Sequence, residues 1–547
     1  MKTKPVTTLC GGVLGTCFNK VRQNFYENID ETVHAATYEG EHKLSYAEPE
    51  YTGKFMDICA YYYETEGDIR ALKKGLAVVD SIEKNIRADG YIGCLGNGNE
   101  LKVFSVWNQA FTLYGLTRMY EATGEARILA LVKRTADWIM DTLIGENAPN
   151  ILDAFNKGSQ HLTCFHSMGR AYAVTEDRKY LDFIKSVLDY CETTDMNLLS
   201  FDDILKLRSP KGIEMLVVYL GVLQYGTMSG DERAIKAARR YFDQVMKTQI
   251  RNTGNGTVCE EWTENGNAPR LMPTSEKPNE TCVAVGIVEN ALALFYDSPL
   301  AEYLDVIEKT LFNHMVGSLE RSGGDLAYYQ GNYGRKIYRT AGGMYQCCRY
   351  RGFTLFSYLP QMTYYYKDNV LIPMIYTPSI FKTDGLSCKL MTEYPAKGTL
   401  HFDIENIAEI TLRLRVPAWC RQSELFINGQ FQNIEPKNGY VDVKLSKGEH
   451  KITLELLEEI NVMHHSIDGK RYLSIEYGPL LMAHDTHFGG ELWQPISSEV
   501  KPDLRKTNGI ELLRMEADGM TLVDFASAGG NDPENDLYTV FIPEKCE

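Results

Sequence analysis

The sequence predicts a mainly α N-terminal (α/α) toroid of helix hairpins followed by a C-terminal all-β sandwich. Three observations point there: an acidic turn repeated through the first half, helical apolar spacing on both sides of each turn, and a change to alternating patterning after about residue 365. A chain of 547 residues accommodates two or three domains. The boundaries read as 1–365 for the toroid, 366–460 for a β-sandwich, and 461–547 for a second small β unit or an extension of the sandwich.

The turn runs Tyr63-Glu-Thr-Glu-Gly-Asp68, then Tyr120-Glu-Ala-Thr-Gly-Glu125, Tyr172-Ala-Val-Thr-Glu-Asp177 and Tyr225-Gly-Thr-Met-Ser-Gly-Asp231. Its acidic ends recur at steps of 57, 52 and 54 residues, with a degenerate fifth copy at Tyr296-Asp-Ser-Pro299 after a longer step. Gly closes one helix and the acidic residue opens the next. Around the second turn, Leu113, Leu116, Met119 and Tyr120 precede Leu129, Val132, Ala136, Ile139 and Met140, the spacing of two amphipathic helices. Hairpins of about 50 residues stack into an open solenoid or close into a toroid. Five or six of them before residue 365 match the closed form.

The second half alternates instead. Thr399–Ile404, Ile410–Val416, Tyr440–Leu445 and Lys451–Leu456 have period two, and Asn428-Gly429 and Asn438-Gly439 supply hairpin turns.

Bulk properties exclude several functions. A net charge of −16 argues against nucleic-acid and anionic-membrane partners. No apolar run approaches the ~20 residues of a membrane span. Thirteen cysteines, odd in number and spread without a framework, predict a reducing, cytoplasmic setting. Met1–Lys20 lacks the uninterrupted apolar core of a signal peptide. A homodimer is left open.

Two short stretches carry chemistry. Asn279-Glu-Thr-Cys282 sets a carboxylate two residues from a thiol, and Cys347-Cys348 follows the Gly342-Gly343 pair. Glu280, Cys282, Cys347 and Cys348 are the ligand types of a tetrahedral zinc site, although adjacent cysteines usually diverge. The alternative is three buried thiols. A third stretch, Cys259-Glu260-Glu261-Trp262, places two carboxylates beside an aromatic after a Gly-rich loop, which suits acid/base work on a sugar or a solvated acidic loop. Trp107, Gln109, His161, His166, Lys211 with Glu214, and Tyr328 with Tyr329 stand near expected helix ends, where side chains line a toroid's funnel.

These residues resemble the β-L-arabinofuranosidases of glycoside hydrolase family 127. The resemblance covers roughly residues 45 to 485. It is specific at Glu-Thr-Cys plus Cys-Cys and looser at the hairpin turns and at Leu412-Arg-Leu-Arg-Val-Pro-Ala-Trp-Cys420. It implies a zinc ion on Glu280, Cys282, Cys347 and Cys348, Cys347 as nucleophile, and Glu260 as general acid/base with Glu261 its near rival. It also implies sugar-binding roles for His161 and Tyr328, a carbohydrate substrate, and retention through a thioglycosyl intermediate. Trp107, Gln109 and Glu261 complete the expected sugar-binding set. The chain departs from the family at Arg349-Tyr350-Arg351, where Pro-Pro-Asn is common, at Cys259, which replaces a Gly, and around Lys211–Ile213, where a His is replaced. Two other functions fit the same chain: a lyase or hydrolase of another modified sugar, and a non-catalytic sugar-binding protein with structural zinc.

Overall fold

The structure is a computed structural model that describes residues 5–39, 48–92, 105–145, 148, 150–338, 347–497, 500–503 and 512–545. Among the described residues, twelve longer helices build its first part: α1 Gly12–Asn28, α2 Glu48–Glu66, α3 Ile69–Asn85, α4 Ser105–Thr123, α5 Ala126–Ile144, α6 Cys164–Thr175, α7 Lys179–Cys191, α8 Gly212–Ser229, α9 Glu232–Thr248, α10 Thr281–Asp297, α11 Ala301–Lys309 and α12 Cys347–Tyr358. The repeated acidic turn works as a helix start. Asp68 accepts from Arg70 N at the head of α3, and Asp231 accepts from Arg233 N at the head of α9.

Helices α2, α4, α6, α8, α10 and α12 form an inner ring in which each packs on the next. Helix α12 packs back on α2, so the ring closes into a toroid and is not an open solenoid. These inner helices are apolar nearly all round, as elements covered on every side must be: α8 buries Gly212 through Tyr219 without a break. The outer helices α3, α5, α7, α9 and α11 are one-faced. The sixth outer helix is α1, which packs on α12 across more than 300 residues of sequence.

Strands of the second part begin at Tyr364. Thr399–Asn406 pairs with Gly448–Leu457 and with Leu386–Thr392, and the sheet continues through Ser379–Thr383. Its outermost strand is Val6–Leu9, which lies inside the span expected to be toroid but pairs antiparallel with Ser379–Lys382. A second sheet runs Tyr440–Leu445, Ile410–Arg415, Val370–Pro373 and Tyr364–Lys367. Alternate residues such as Leu412, Leu414, Leu400, Phe402, Ile452 and Leu454 are buried between the two. The last segment forms its own sheet around Lys470–Tyr477, Leu480–Asp485 and Met520–Asp524. Tyr538–Thr539 of that sheet pairs with Tyr333–Gly334, and the Lys336 ammonium donates to Phe525 O at 3.1 Å. The third unit thus anchors the segment that leads to Cys347.

The Leu412–Cys420 stretch joins toroid to sandwich. Arg415, fully buried, pairs with Asp305 at 2.6 Å and with Glu308 of α11, and Trp419 Nε1 donates to Glu308 at 3.1 Å. Arg415→Met should destabilise the protein by about 3–5 kcal/mol, because it strands Glu308 as a buried charge. Thermal unfolding checks this, and adding Glu308→Gln should recover part of the loss.

Candidate functional site

Two neighbouring inner helices bring the metal-type residues together. Glu280 stands immediately before α10 and Cys282 lies in its first turn. Cys347 and Cys348 open the described part of α12. Helix N-termini favour anionic groups, so Glu280 and Cys282 at the head of α10 are electrostatically well placed. The Gly342-Gly343 pair lies outside the described residues.

The four donor atoms lie within 4.8 Å of one another. Cys282 and Cys347 sulfurs are 3.4 Å apart, Cys347 and Cys348 sulfurs 4.0 Å, and Cys348 Sγ is 3.8 Å from Glu280 Oε1. Bonds of about 2.3 Å to a tetrahedral ion put thiolate donors about 3.8 Å apart. Glu280 Oε2 is buried and has no hydrogen-bond partner among the described residues, which a buried carboxylate tolerates when a cation is its partner. The set can hold a metal ion.

Electrostatics separate the four. Burial pushes the Glu280 carboxyl and the Cys282 and Cys348 thiols well up. Cys347 goes the other way, well below an ordinary thiol: hydrogen bonds from Cys282 and Cys348 outweigh burial, and the Lys54 ammonium and Tyr328 hydroxyl help. The Tyr328 oxygen is 3.6 Å from Cys347 Sγ. Cys282 and Cys348 are buried, whereas Cys347 is partly open.

Cys347 opens onto a cavity of about 490 Å³ at the N-terminal ends of the inner helices, whose other lining includes Tyr328, Glu260, Lys211, Glu214 and Trp107. Glu260 reaches it from a loop whose backbone is left-handed at Thr257, Cys259 and Glu260, with φ of 75°, 50° and 69°. Non-glycine residues rarely take such φ. Gly212 N donates to Glu260 O at 2.8 Å. The Lys211 ammonium and Tyr329 hydroxyl each hold one oxygen of the Glu260 carboxylate. Tyr328 and Tyr329 are set by a strand-like contact: Thr281 N donates to Tyr328 O at 2.9 Å, and Glu280 bridges Tyr329.

Not every expected residue faces the cavity. Trp107 does, with its indole donating to Glu50 at 2.6 Å. Gln109 is buried against the backbone of Ile92 on α4's far side. His161 is buried with Nδ1 3.0 Å from Ile151 O. Glu261 is exposed on the loop, outside the cavity lining. Trp262, expected beside Glu260, is buried and donates to Tyr241 at 2.8 Å. Two charged cavity residues, Glu50 and Lys54, carried no sequence signal, and Arg351 stood out only as a departure from the family pattern. Glu50 and Lys54 form a buried pair, Lys54 Nζ lies 3.4 Å from Cys347 O, and Arg351 pairs with Glu289 on α10.

Glu214 accepts 2.5 Å hydrogen bonds from Asn156 Nδ2 and Ser159 Oγ. Burial nevertheless pushes its carboxyl up to about 7 from 4.5. The fold therefore favours the protonated form, so this contribution is complete below 4.5 and is lost as pH rises through about 7. Glu214→Gln should flatten the fall of the unfolding midpoint between about pH 4.5 and pH 7, a difference of up to about 3 kcal/mol.

Comparisons with known proteins bear on the family and the fold. A family model described as the GH127 catalytic domain of β-L-arabinofuranosidase matches residues 4–361, and the GH127 middle-domain model matches 371–457. A curated relative, the non-reducing end β-L-arabinofuranosidase of Bifidobacterium longum subsp. longum, is 22% identical over 480 residues, or 81% of this chain. The chain spans 65% of that relative's length. The fold is similar to a solved GH127 β-L-arabinofuranosidase from Geobacillus stearothermophilus T6, with 16% identity, TM-score 0.77, and 98% and 100% of the two chains covered. It is also similar to a second solved GH127 β-arabinofuranosidase, with 18% identity, TM-score 0.78, and 98% and 94% covered.

Proposed function

The chain belongs to the GH127 β-L-arabinofuranosidase family, and from that premise we propose that it is a retaining exo-acting glycoside hydrolase that releases a terminal β-L-arabinofuranose or a related sugar. The observation that carries this reading is the placement of Cys347: it is the partly open sulfur of the cluster, and it shares one cavity with Glu260. The donor set of Glu280, Cys282, Cys347 and Cys348 fits zinc, which accepts three thiolates and a carboxylate. When bound, zinc would offset two of their four negative charges and keep Cys347 deprotonated.

The chain's own residues then divide the work. Trp107 and Tyr328 border the sugar, and Tyr328 and Lys54 favour the anionic sulfur of Cys347. Cys347 Sγ bonds to the anomeric carbon as the glycosidic C–O bond breaks, and Glu260 delivers its proton to the leaving oxygen. Water then attacks the same carbon, giving its proton to Glu260 as the C–S bond breaks. Two inversions leave net retention. Lys211 and Tyr329 fix the Glu260 carboxyl in place between these steps.

The test is a panel of aryl furanosides and pyranosides offered to zinc-loaded protein, with product stereochemistry followed by NMR. One furanoside hydrolysed with retention supports the reading; inversion, or no turnover across the panel, overturns it. Glu260→Ala should lower kcat about 10²–10⁴-fold on substrates with poor leaving groups and much less on activated aryl glycosides. With the activated substrates, intact-protein mass spectrometry should find a sugar adduct on Cys347.

A further inference from the structure

A guanidinium forms the deep end of the cavity that Cys347 opens onto. Arg351 follows Cys347 by four residues on α12, so the two share one face of the helix, one turn of about 5.4 Å apart, and both line the cavity. Helical side chains lean towards the N-terminus, which brings the Arg351 head group up towards that space. Its central carbon lies 5.9 Å from the Phe111 ring centre, and the Lys54 ammonium lies 4.8 Å from the same ring. On the far side Glu289, the partner of Arg351, lines a separate cavity with Tyr114, His166 and Arg170. The Arg351–Glu289 pair is therefore the partition between the two cavities.

This guanidinium is buried, at 5% exposed, and the protein matches it incompletely. A guanidinium carries five N–H donors. Here Nη2 donates to Glu289, Nε is buried without an acceptor, and among the described residues no other hydrogen bond reaches the group. A buried charged donor short of acceptors costs free energy, and a ligand that supplies an acceptor recovers it. The charge, by contrast, is already balanced: Glu289 answers Arg351, and Glu50 answers Lys54. What this end of the cavity lacks is an oxygen lone pair, not an anion.

We propose that Arg351 is a specificity-determining residue that donates to one hydroxyl of the bound sugar, away from its anomeric carbon, so that the site selects a neutral sugar with that hydroxyl free over a deoxy sugar or a uronate. This rests on the hydrolase reading and adds which group of the released sugar the site recognises. With the anomeric carbon at Cys347, the next turn of α12 is an interval that one sugar unit spans. A site built to hydrogen-bond a hydroxyl rejects the analogue that lacks it, because its own buried donor is then left unpaired. A carboxylate in the same place would add a negative charge beside Glu289, whose own charge already balances Arg351.

The experiment offers zinc-loaded protein an aryl β-L-arabinofuranoside, its 2-, 3- and 5-deoxy analogues, and the analogue oxidised to a carboxylate at carbon 5. In the parent, removal of one particular hydroxyl should lower kcat/KM about 10- to 100-fold, the loss of a hydrogen bond from a charged donor. Two variants are compared. Arg351→Met combined with Glu289→Gln removes both charges, so that neither is stranded. Arg351→Lys keeps a charge opposite Glu289 but not the planar fork, and serves if the first fails to fold. Either variant should treat the full glycoside and that deoxy analogue alike, within about threefold. A parent indifferent to every deletion, a parent that prefers the carboxylate, or variants that keep the parent's discrimination overturn the assignment. Calorimetric binding of the corresponding free sugars reads the same contact without turnover. A parent that binds with this selectivity but hydrolyses nothing defeats the hydrolase reading alone, whereas turnover without selectivity defeats the Arg351 assignment alone. A parent that neither binds nor hydrolyses the series defeats both.

Discussion

Cys347→Ala is expected to lower kcat by about 10⁴-fold or more on every substrate the parent hydrolyses, while binding of the sugar, measured by calorimetry, is retained. The size follows from the role: without the sulfur there is no covalent intermediate, and the acid/base group alone contributes only about 10²–10⁴-fold. The same residue is also a metal-type ligand, so loss of activity by itself is ambiguous. Cys348→Ala resolves this. Both variants remove one of four donors, but Cys348 is buried behind the cluster and does not line the cavity. Metal content should therefore fall in both, whereas with excess zinc restored only Cys348→Ala should recover measurable turnover. Full turnover by Cys347→Ala, or equal inactivity of the two variants at equal metal loading, would sink the nucleophile assignment.

The site was legible in sequence where chemistry depends on short spacing, and illegible where it depends on the ring closing. Glu-Thr-Cys and Cys-Cys announce a metal-type set because few other arrangements need three thiols and a carboxylate. Spacing alone does not dictate that the two stretches converge, since residues 282 and 347 meet only when α12 packs beside α10. The acidic turns gave the hairpins because an N-cap is a local device, as Asp68 and Asp231 demonstrate. The sixth outer helix had no local signature: α1 is an ordinary helix until α12 lies against it. Val6–Leu9 likewise becomes sandwich only through Ser379–Lys382.

Charged cavity residues were the hardest to read. Glu50 and Lys54, four apart on α2, look in sequence like a pair on a solvated helix face. They are buried at the toroid's centre, a fate set by tertiary packing alone. His161 and Gln109 show the converse: polar side chains near helix ends whose partners are nearby backbone groups. Polarity at a funnel rim narrows the candidates without choosing among them.

Chelation should produce the other large effect. Treating the protein with a strong zinc chelator in reducing buffer is expected to remove one ion per chain, abolish turnover and lower the unfolding midpoint by several degrees. Zinc, but not magnesium, should reverse all three, because magnesium prefers six oxygen donors. The reductant matters, since the Cys282 and Cys347 sulfurs stand 3.4 Å apart and an oxidised pair would mimic metal loss. The stability effect follows from where the donors sit. They tie the N-termini of α10 and α12 at the step where the chain completes the inner ring, and structural zinc sites contribute on the order of 10 kcal/mol to the folded state. Glu280→Gln separates charge from shape, because the amide fills the same space but supplies a weaker, neutral donor. Its metal content, measured by mass spectrometry, should fall below the parent's and its unfolding midpoint should move towards that of the chelated protein. If the parent carries no metal and chelation changes neither midpoint nor rate, the four residues are a cluster of buried thiols and the proposed chemistry has no cation behind it.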